Sequence, residues 1–220
     1  MYKTSRFAYE VSTAPALEPI TSTEAKNFIK VDTTADDTLI GVLITAARQL
    51  AEEYTERAFV EQTVKLYLDS FPSACKTEPW WDGIVEGPMS LITGTSNQIE
   101  LPKPPLISVT SLKYYSKLDV VSTLSSSTYF VDTKGTPGRI CLNYGQIWPT
   151  DIRTHQAVLV EFKAGYGATA ASVPAQIRQA ISMIVGNLYA HRGDSGTASE
   201  SEIPALAKNL LDPYRVRRFG

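Results

Sequence analysis

The hydrophobic period of the chain changes twice, from helical to alternating and back to helical. In the first stretch, Thr21-Ser22-Thr23-Glu24 sets a hydroxyl and a carboxylate three residues apart, so that each can satisfy a free backbone donor at a helix start. A short helix burying Ala25, Phe28 and Ile29 is expected after it. Asp36 and Asp37 mark a second start, since carboxylates are favoured at the positive end of a helix dipole. From there Leu39, Leu43, Ala46/Ala47, Leu50 and Tyr54 recur at three- and four-residue spacing. Arg48, Gln49, Glu52, Glu53 and Glu56 fall mostly on the other side. The pattern predicts an amphipathic helix of about five to six turns. Residues 1–20 carry Pro15 and Pro19 and show no clear period, which reads as an extended N-terminal arm.

After Arg57 the pattern alternates. Val64, Leu66 and Leu68 are interleaved with Lys65, Tyr67 and Asp69, the mark of a half-buried strand. Further short strands are expected at Ile99–Leu101, Val109–Tyr115, Tyr129–Asp132, Arg139–Asn143 and Ala157–Lys163. Turn chemistry at Lys134-Gly135-Thr136-Pro137-Gly138 and at Trp148-Pro149 separates them. Residues 72–98 have no period, and a loop of that length is uncommon unless functional or disordered.

The helical period returns at Pro174, a residue suited to the first turn of a helix. Ile177, Ile181, Ile184 and Leu188 form one apolar stripe that Gly193 can terminate. A polar stretch, Asp194 to Glu202, leads to a short helix from Pro204 to Leu211. Because the two amphipathic stripes need each other, the strands are best read as an insertion between them. The expected fold is α+β: a small bundle of N- and C-terminal helices (21–60 and 173–193), an inserted antiparallel β-rich domain (61–172), and a linker with an extended C-terminal tail (194–220).

Composition narrows the function classes. The 220 residues are 43% hydrophobic and 20% charged, enough apolar material for a buried core. Lys+Arg is 21 against Asp+Glu 23, a formal net charge of −2, whereas a dedicated nucleic-acid binder is usually strongly basic. No apolar run approaches the ~20 residues of a membrane span, and no signal-like segment opens the sequence. Cys75 and Cys141 cannot build a disulfide framework and are expected to be free thiols of a chain made in the cytoplasm.

No catalytic set emerges. Gly193-Asp194-Ser195-Gly196 looks like a serine-protease nucleophile string, yet His155 and His191 sit in no partner motif, and the string reads as a helix stop followed by a polar turn. Two histidines and two scattered cysteines give no zinc spacing, and no glycine pattern matches a phosphate-binding loop. No cofactor or metal is expected, and the chain reads as a non-enzyme. Trp80 and Trp81 stand out in the 72–98 loop as either folded-back core aromatics or a contact with another subunit, since Trp is enriched at interface hot spots.

In order and spacing, several segments resemble the tailed-phage head–tail connector (adaptor) family in its long form with a β-rich insertion. They are Ile20-Thr-x-x-Glu-Ala-Lys with Val31-Asp32, Asp36-Asp37-x-Leu39-Ile40, Ala46-Ala47-Arg48 to Tyr54-Thr55, and Leu68-Asp69-x-Phe71-Pro72. Leu101-Pro102-Lys103-Pro104-Pro105-Leu106-x-Ser108-Val109, Tyr129-x-Val131-Asp132, Pro137-Gly138-Arg139-Ile140 and Trp148-Pro149 follow. Ala164-Gly165-Tyr166-Gly167, Val173-Pro174-x-x-Ile177-x-x-Ala180-Ile181 and Leu188-Tyr189-x-His191-Arg192 complete the series.

The resemblance implies a homo-oligomeric ring, usually dodecameric, in the virion neck. Such a ring docks under the portal protein, continues the DNA channel and offers a platform for a stopper or tail-completion protein. Double-stranded DNA then passes without specific binding, in keeping with the mild acidity. A stopper or tail-completion role in the same neck is the alternative, and a β-sandwich carbohydrate-binding module with Trp80 and Trp81 as stacking platform is a more remote one. Portal docking is expected of the tail, through Leu206, Leu210, Leu211, Tyr214, Arg215, Arg217, Arg218 and Phe219: the leucines exceed what one short helix can bury against itself, and Arg and aromatics carry interface energy. Intersubunit or tail contacts are expected of Trp80, Trp81, Glu52, Glu53, Glu56 and Arg178.

Overall fold

The computed structural model describes residues 7–72, 97–191 and 203–216. Strand β1 (Phe7–Thr13) leads to helices α1 (Ser22–Ile29) and α2 (Asp37–Thr55). Strands β2 (Gln62–Leu68), β3 (Gln98–Glu100), β4 (Leu106–Tyr115) and β5 (Val121–Thr123) follow. Then come β6 (Tyr129–Asp132), β7 (Arg139–Leu142) and β8 (Val158–Ala164), and finally α3 (Ala175–Ala190) and α4 (Ala205–Leu211). The strands form two antiparallel sheets, in the orders β1-β2-β8-β4-β5 and β3-β7-β6. The architecture is α+β, as the periodicity predicts.

Local chemistry sets the helix ends. The Thr21 hydroxyl accepts from the Glu24 amide at 3.2 Å while Glu24 Oε2 accepts from the Thr21 amide at 2.7 Å, which closes the start of α1. At the other end of α2, Glu56 turns left-handed (φ 55°) and donates its N–H to the Glu52 and Glu53 carbonyls. The buried stripe of α2 runs through Ile40, Ile44, Ala47 and Ala51, and Leu43, Leu50 and Tyr54 flank it half-buried. Phe28 departs from expectation. It is 43% exposed, its ring lying against Gly186 of α3, where an added Cβ would come within 3.1 Å of Phe28 Cε1.

Residues 7–13 of the expected arm are a strand of the large sheet, paired antiparallel with β2 in the register Phe7 to Leu68, Tyr9 to Leu66 and Val11 to Val64. The alternation of Phe7, Tyr9 and Val11 was the available signal.

Two apolar cores result. One joins α1 to α4 through side chains such as Ile40, Ile44, Ile177, Ile181 and Ile184. The other lies between the two sheets, with Leu66, Leu112, Ile140, Val160 and Phe162, and is closed by Trp148 stacked on Phe71 (centroids 4.7 Å apart). All three strand–helix connections, β1 to α1, α2 to β2 and β8 to α3, lie at one end of the large sheet, because neighbouring strands run antiparallel. The β4–β5 hairpin turns at the opposite end.

The two cores are laced together by backbone. Ala58 N–H donates to Pro104 O (3.1 Å), Gly165 N–H to Pro105 O (2.9 Å), Tyr166 N–H to Phe59 O (3.0 Å) and Glu61 N–H to Gly167 O (2.9 Å). Gly165 is what permits the approach: its φ is +132°, and a Cβ there would lie 2.6 Å from the Val60 carbonyl group. Gly165→Ala is therefore expected to cost more than about 1 kcal/mol of unfolding free energy. Chemical denaturation checks this, and an unchanged midpoint would contradict it.

Candidate assembly surfaces

The polar side chains singled out in the sequence separate into buried and exposed groups. Arg48 and Glu52, expected on the side of α2 away from its apolar stripe, are buried. Arg48 Nη1 donates to Glu52 Oε2 at 2.9 Å, one turn on, and its Nε donates to Glu18 Oε2 at 2.8 Å. Glu52 Oε1 in turn accepts from the Phe59 amide at 2.8 Å and from Gln62 Nε2 at 3.2 Å. Helical spacing alone could not assign this face, because the neutralising partner Glu18 lies in the arm, thirty positions away. Glu52 is thus spent inside its own protomer. Glu53 and Glu56 remain exposed. Arg178 is half-buried, with Nη1 3.8 Å from Glu24 Oε1 on α1.

The C-terminal segment also differs from expectation. Helix α4 docks on its own bundle: Ile203, Ala207 and Leu211 are buried in the helical core and Leu210 is half-buried against it. The leucine stripe that one short helix cannot bury alone is covered by α2 and α3. The turn after α4 is fastened as well. Tyr54 Oη donates to Asp212 Oδ1 at 2.6 Å, a bond that holds the Tyr54 phenol above its ordinary titration range. Tyr214 Oη donates to Gln176 Oε1 (2.9 Å), Arg57 Nε donates to the Tyr214 carbonyl, and Val216 N–H donates to Thr55 O (3.0 Å). The Arg215 guanidinium lies 5.3 Å over the Tyr54 ring. Of the expected docking residues, Leu206 and Arg215 keep exposed surface, and Arg217, Arg218 and Phe219 lie outside the described residues, as do Trp80 and Trp81.

Among the described residues no group of three or more His, Cys, Asp or Glu is arranged to hold a metal ion, and no helix is long and apolar enough to cross a membrane. A shallow surface groove runs along α2 between Thr38, Val42, Thr45 and Gln49. It is lined by small and neutral side chains and contains no titratable group. The conspicuous surface chemistry is apolar: Phe7, Tyr9 and Val11 on β1, Leu118, Val120 and Val121 at the β4–β5 hairpin, and Tyr144 and Ile147 in the loop after β7 are exposed. This distribution suits contact with other protein chains rather than chemistry on a small molecule.

Comparison with known proteins agrees. Residues 20–117 match the family model described as phage gp6-like head-tail connector protein. No curated protein matches the chain. Among solved structures, the chain is similar to one in the neck of an empty GTA particle computed with C6 symmetry (TM-score 0.74, 20% identity, covering 97% of this chain and 98% of that one). A chain in the virion of a native gene transfer agent (GTA) particle is also similar (TM-score 0.71, 20% identity, 96% and 97% covered). So is one in the neck of a native GTA particle computed with C12 symmetry (TM-score 0.65, 20% identity, 97% and 98% covered). The sequence match spans α1 through β4, and the similarity of fold extends over nearly the whole chain.

The buried Arg48–Glu52 pair generates a prediction. Burial is the largest influence on the Glu52 carboxyl and raises it above the ordinary value of 4.5, against the lowering effects of the Phe59 amide and Arg48. A carboxyl raised in this way binds its proton more tightly folded than unfolded. Its contribution is full below the unfolded value and declines as pH rises through the folded one. Glu52→Gln fixes the neutral form and abolishes the decline. The unfolding free energy of wild type minus that of the variant is expected to fall as pH rises from about 4.5 and then to level off. A difference that grows with pH over that range contradicts the assignment.

Proposed function

We propose that this chain is a head–tail connector, the adaptor of a virion neck: copies assembled as a ring, dodecameric by the family resemblance, beneath the portal protein. The ring continues the DNA channel and carries the stopper or tail-completion protein on its far side. The observation that carries this reading is the likeness over nearly the whole chain to chains of GTA particles, two of them from necks computed with C6 and C12 symmetry. Charge supports it. With a net charge of −2, the chain lacks the basic excess that holds phosphates through counterion release, so double-stranded DNA can slide through the ring.

Portal contact falls to the part of the C-terminal segment that the bundle does not use. Leu206 is 58% exposed on α4, and Arg215 leads into Arg217, Arg218 and Phe219. Arginine and aromatic side chains are the types that anchor such contacts.

Two truncations test this. A chain ending at Val216 keeps Ile203, Ala207, Leu211 and the Val216–Thr55 hydrogen bond, so its melting temperature is expected to match that of the full chain. It is expected to fail to join portal-bearing heads, which then lose their DNA. A chain ending at Glu202 also loses buried Leu211 and Ile203, each worth about 1.5–3 kcal/mol of burial, and is expected to melt well below the full chain. Normal head binding by the chain ending at Val216 would overturn the C-terminal assignment.

A further inference from the structure

The two lateral ends of the five-stranded sheet are unlike each other, and both are apolar. At one end, β1 has one edge unpaired among the described residues. Its sequence, Phe-Ala-Tyr-Glu-Val-Ser-Thr, has no proline and no lysine, the usual devices that keep an edge strand from pairing with another chain. Its single charge, Glu10, is occupied: Glu10 Oε1 accepts from Tyr67 Oη at 2.7 Å. The register places Phe7, Tyr9 and Val11 opposite Leu68, Leu66 and Val64, and thus on the face where Leu66 and Val64 are buried in the inter-sheet core. Yet Phe7, Tyr9 and Val11 are 49%, 44% and 44% exposed. Among the described residues, the apolar layer that covers β2 covers β1 only in part.

At the opposite end, the β4–β5 hairpin exposes Leu118, Val120 and Val121 by 86%, 59% and 52%. Its turn is held in shape. Ser116 Oγ accepts from the Leu118 and Val120 amides at 3.3 and 3.2 Å, and Asp119 N–H donates to Ser116 O at 2.9 Å. The charges beside it are matched within the chain, Lys117 with Asp151 at 2.9 Å and Asp119 with Arg153 at 3.1 Å. The hairpin therefore presents aliphatic side chains on a braced support with no unmatched charge to select an ionic partner.

A cyclic ring is closed by head-to-tail contacts, in which two different patches of the same chain meet. The two ends of one sheet are two such patches. We propose that the occupant of the β1 edge is a second copy of this chain, whose β4–β5 hairpin packs over Phe7, Tyr9 and Val11, and that repetition of this contact closes the ring. The proposal rests on the ring reading above and adds the surfaces that form it. Each copy supplies both halves, and both halves are aliphatic or aromatic with their nearby charges already paired.

Cross-linking tests it in the full-length chain with Cys75→Ser and Cys141→Ser as the background. Val11→Cys and Val121→Cys are introduced together and singly, both at exposed positions, and a short bis-maleimide is applied to the protein in solution and on portal-bearing heads. The double variant is expected to give a ladder of products beyond the dimer. Either single variant alone is expected to give no such ladder, whereas a mixture of the two is expected to stop at dimers. Dimers from Val11→Cys alone would mean a two-fold contact and overturn the proposal. Several copies bound per head without a ladder would overturn this interface and leave the ring reading standing. One copy per head would overturn both.

Discussion

The guanidinium of Arg48 is the group on which the rest of the structure depends. It is buried, and a buried cation is tolerable only if paired and hydrogen-bonded. Its two carboxylate partners come from different places: Glu18 from the chain between β1 and α1, and Glu52 from the next turn of α2. Glu52 then reaches onward to the Phe59 amide and to Gln62, at the point where the helix gives way to β2. One charge thereby fixes the arm, the long helix and the first central strand relative to one another. Removing either partner from such a pair costs about 3–5 kcal/mol, because the charge left behind stays out of water.

That clamp sits at the seam between the two cores. Ala58 belongs to the inter-sheet core, Phe59 and Val60 to the helical one, and Val64 to the inter-sheet core again. The chain therefore crosses between the two layers within a few residues, and the carbonyls of Pro104 and Pro105 receive the amides of Ala58 and Gly165 on the way. One buried ion pair and four backbone hydrogen bonds tie that seam. The same arrangement segregates the surfaces. Helices occupy one end of the large sheet, and the exposed hairpin residues Leu118 and Val120 stand at the other.

Much of this was legible in the sequence. Strands β2, β4, β6, β7 and β8 follow from alternation, and α1 from its capping box, because those signals are local. The helix over Ala205–Leu211 was expected too, but its partner was not. A leucine stripe states that something must cover it, not whether that surface belongs to the same chain. For α4 it is α2 and α3. Arg48 and Glu52 were misassigned for a related reason. Polar residues at helical spacing look the same whether solvated or paired in the interior, and only the distant Glu18 decides. The i,i+4 spacing of Arg48 and Glu52 was the one local hint. The β1 strand is masked in the sequence by Pro15 and Pro19, which point to an irregular arm, although Phe7, Tyr9 and Val11 alternate.

The central claim is that copies of this chain form the adaptor ring of a neck. The most direct measurement is a cryo-electron-microscopy reconstruction of the head–tail junction of particles that carry it. The expected result is a closed ring of this chain in direct contact with the portal, its copies arranged head to tail. Density for the chain only below another protein's ring, with no portal contact, would contradict it.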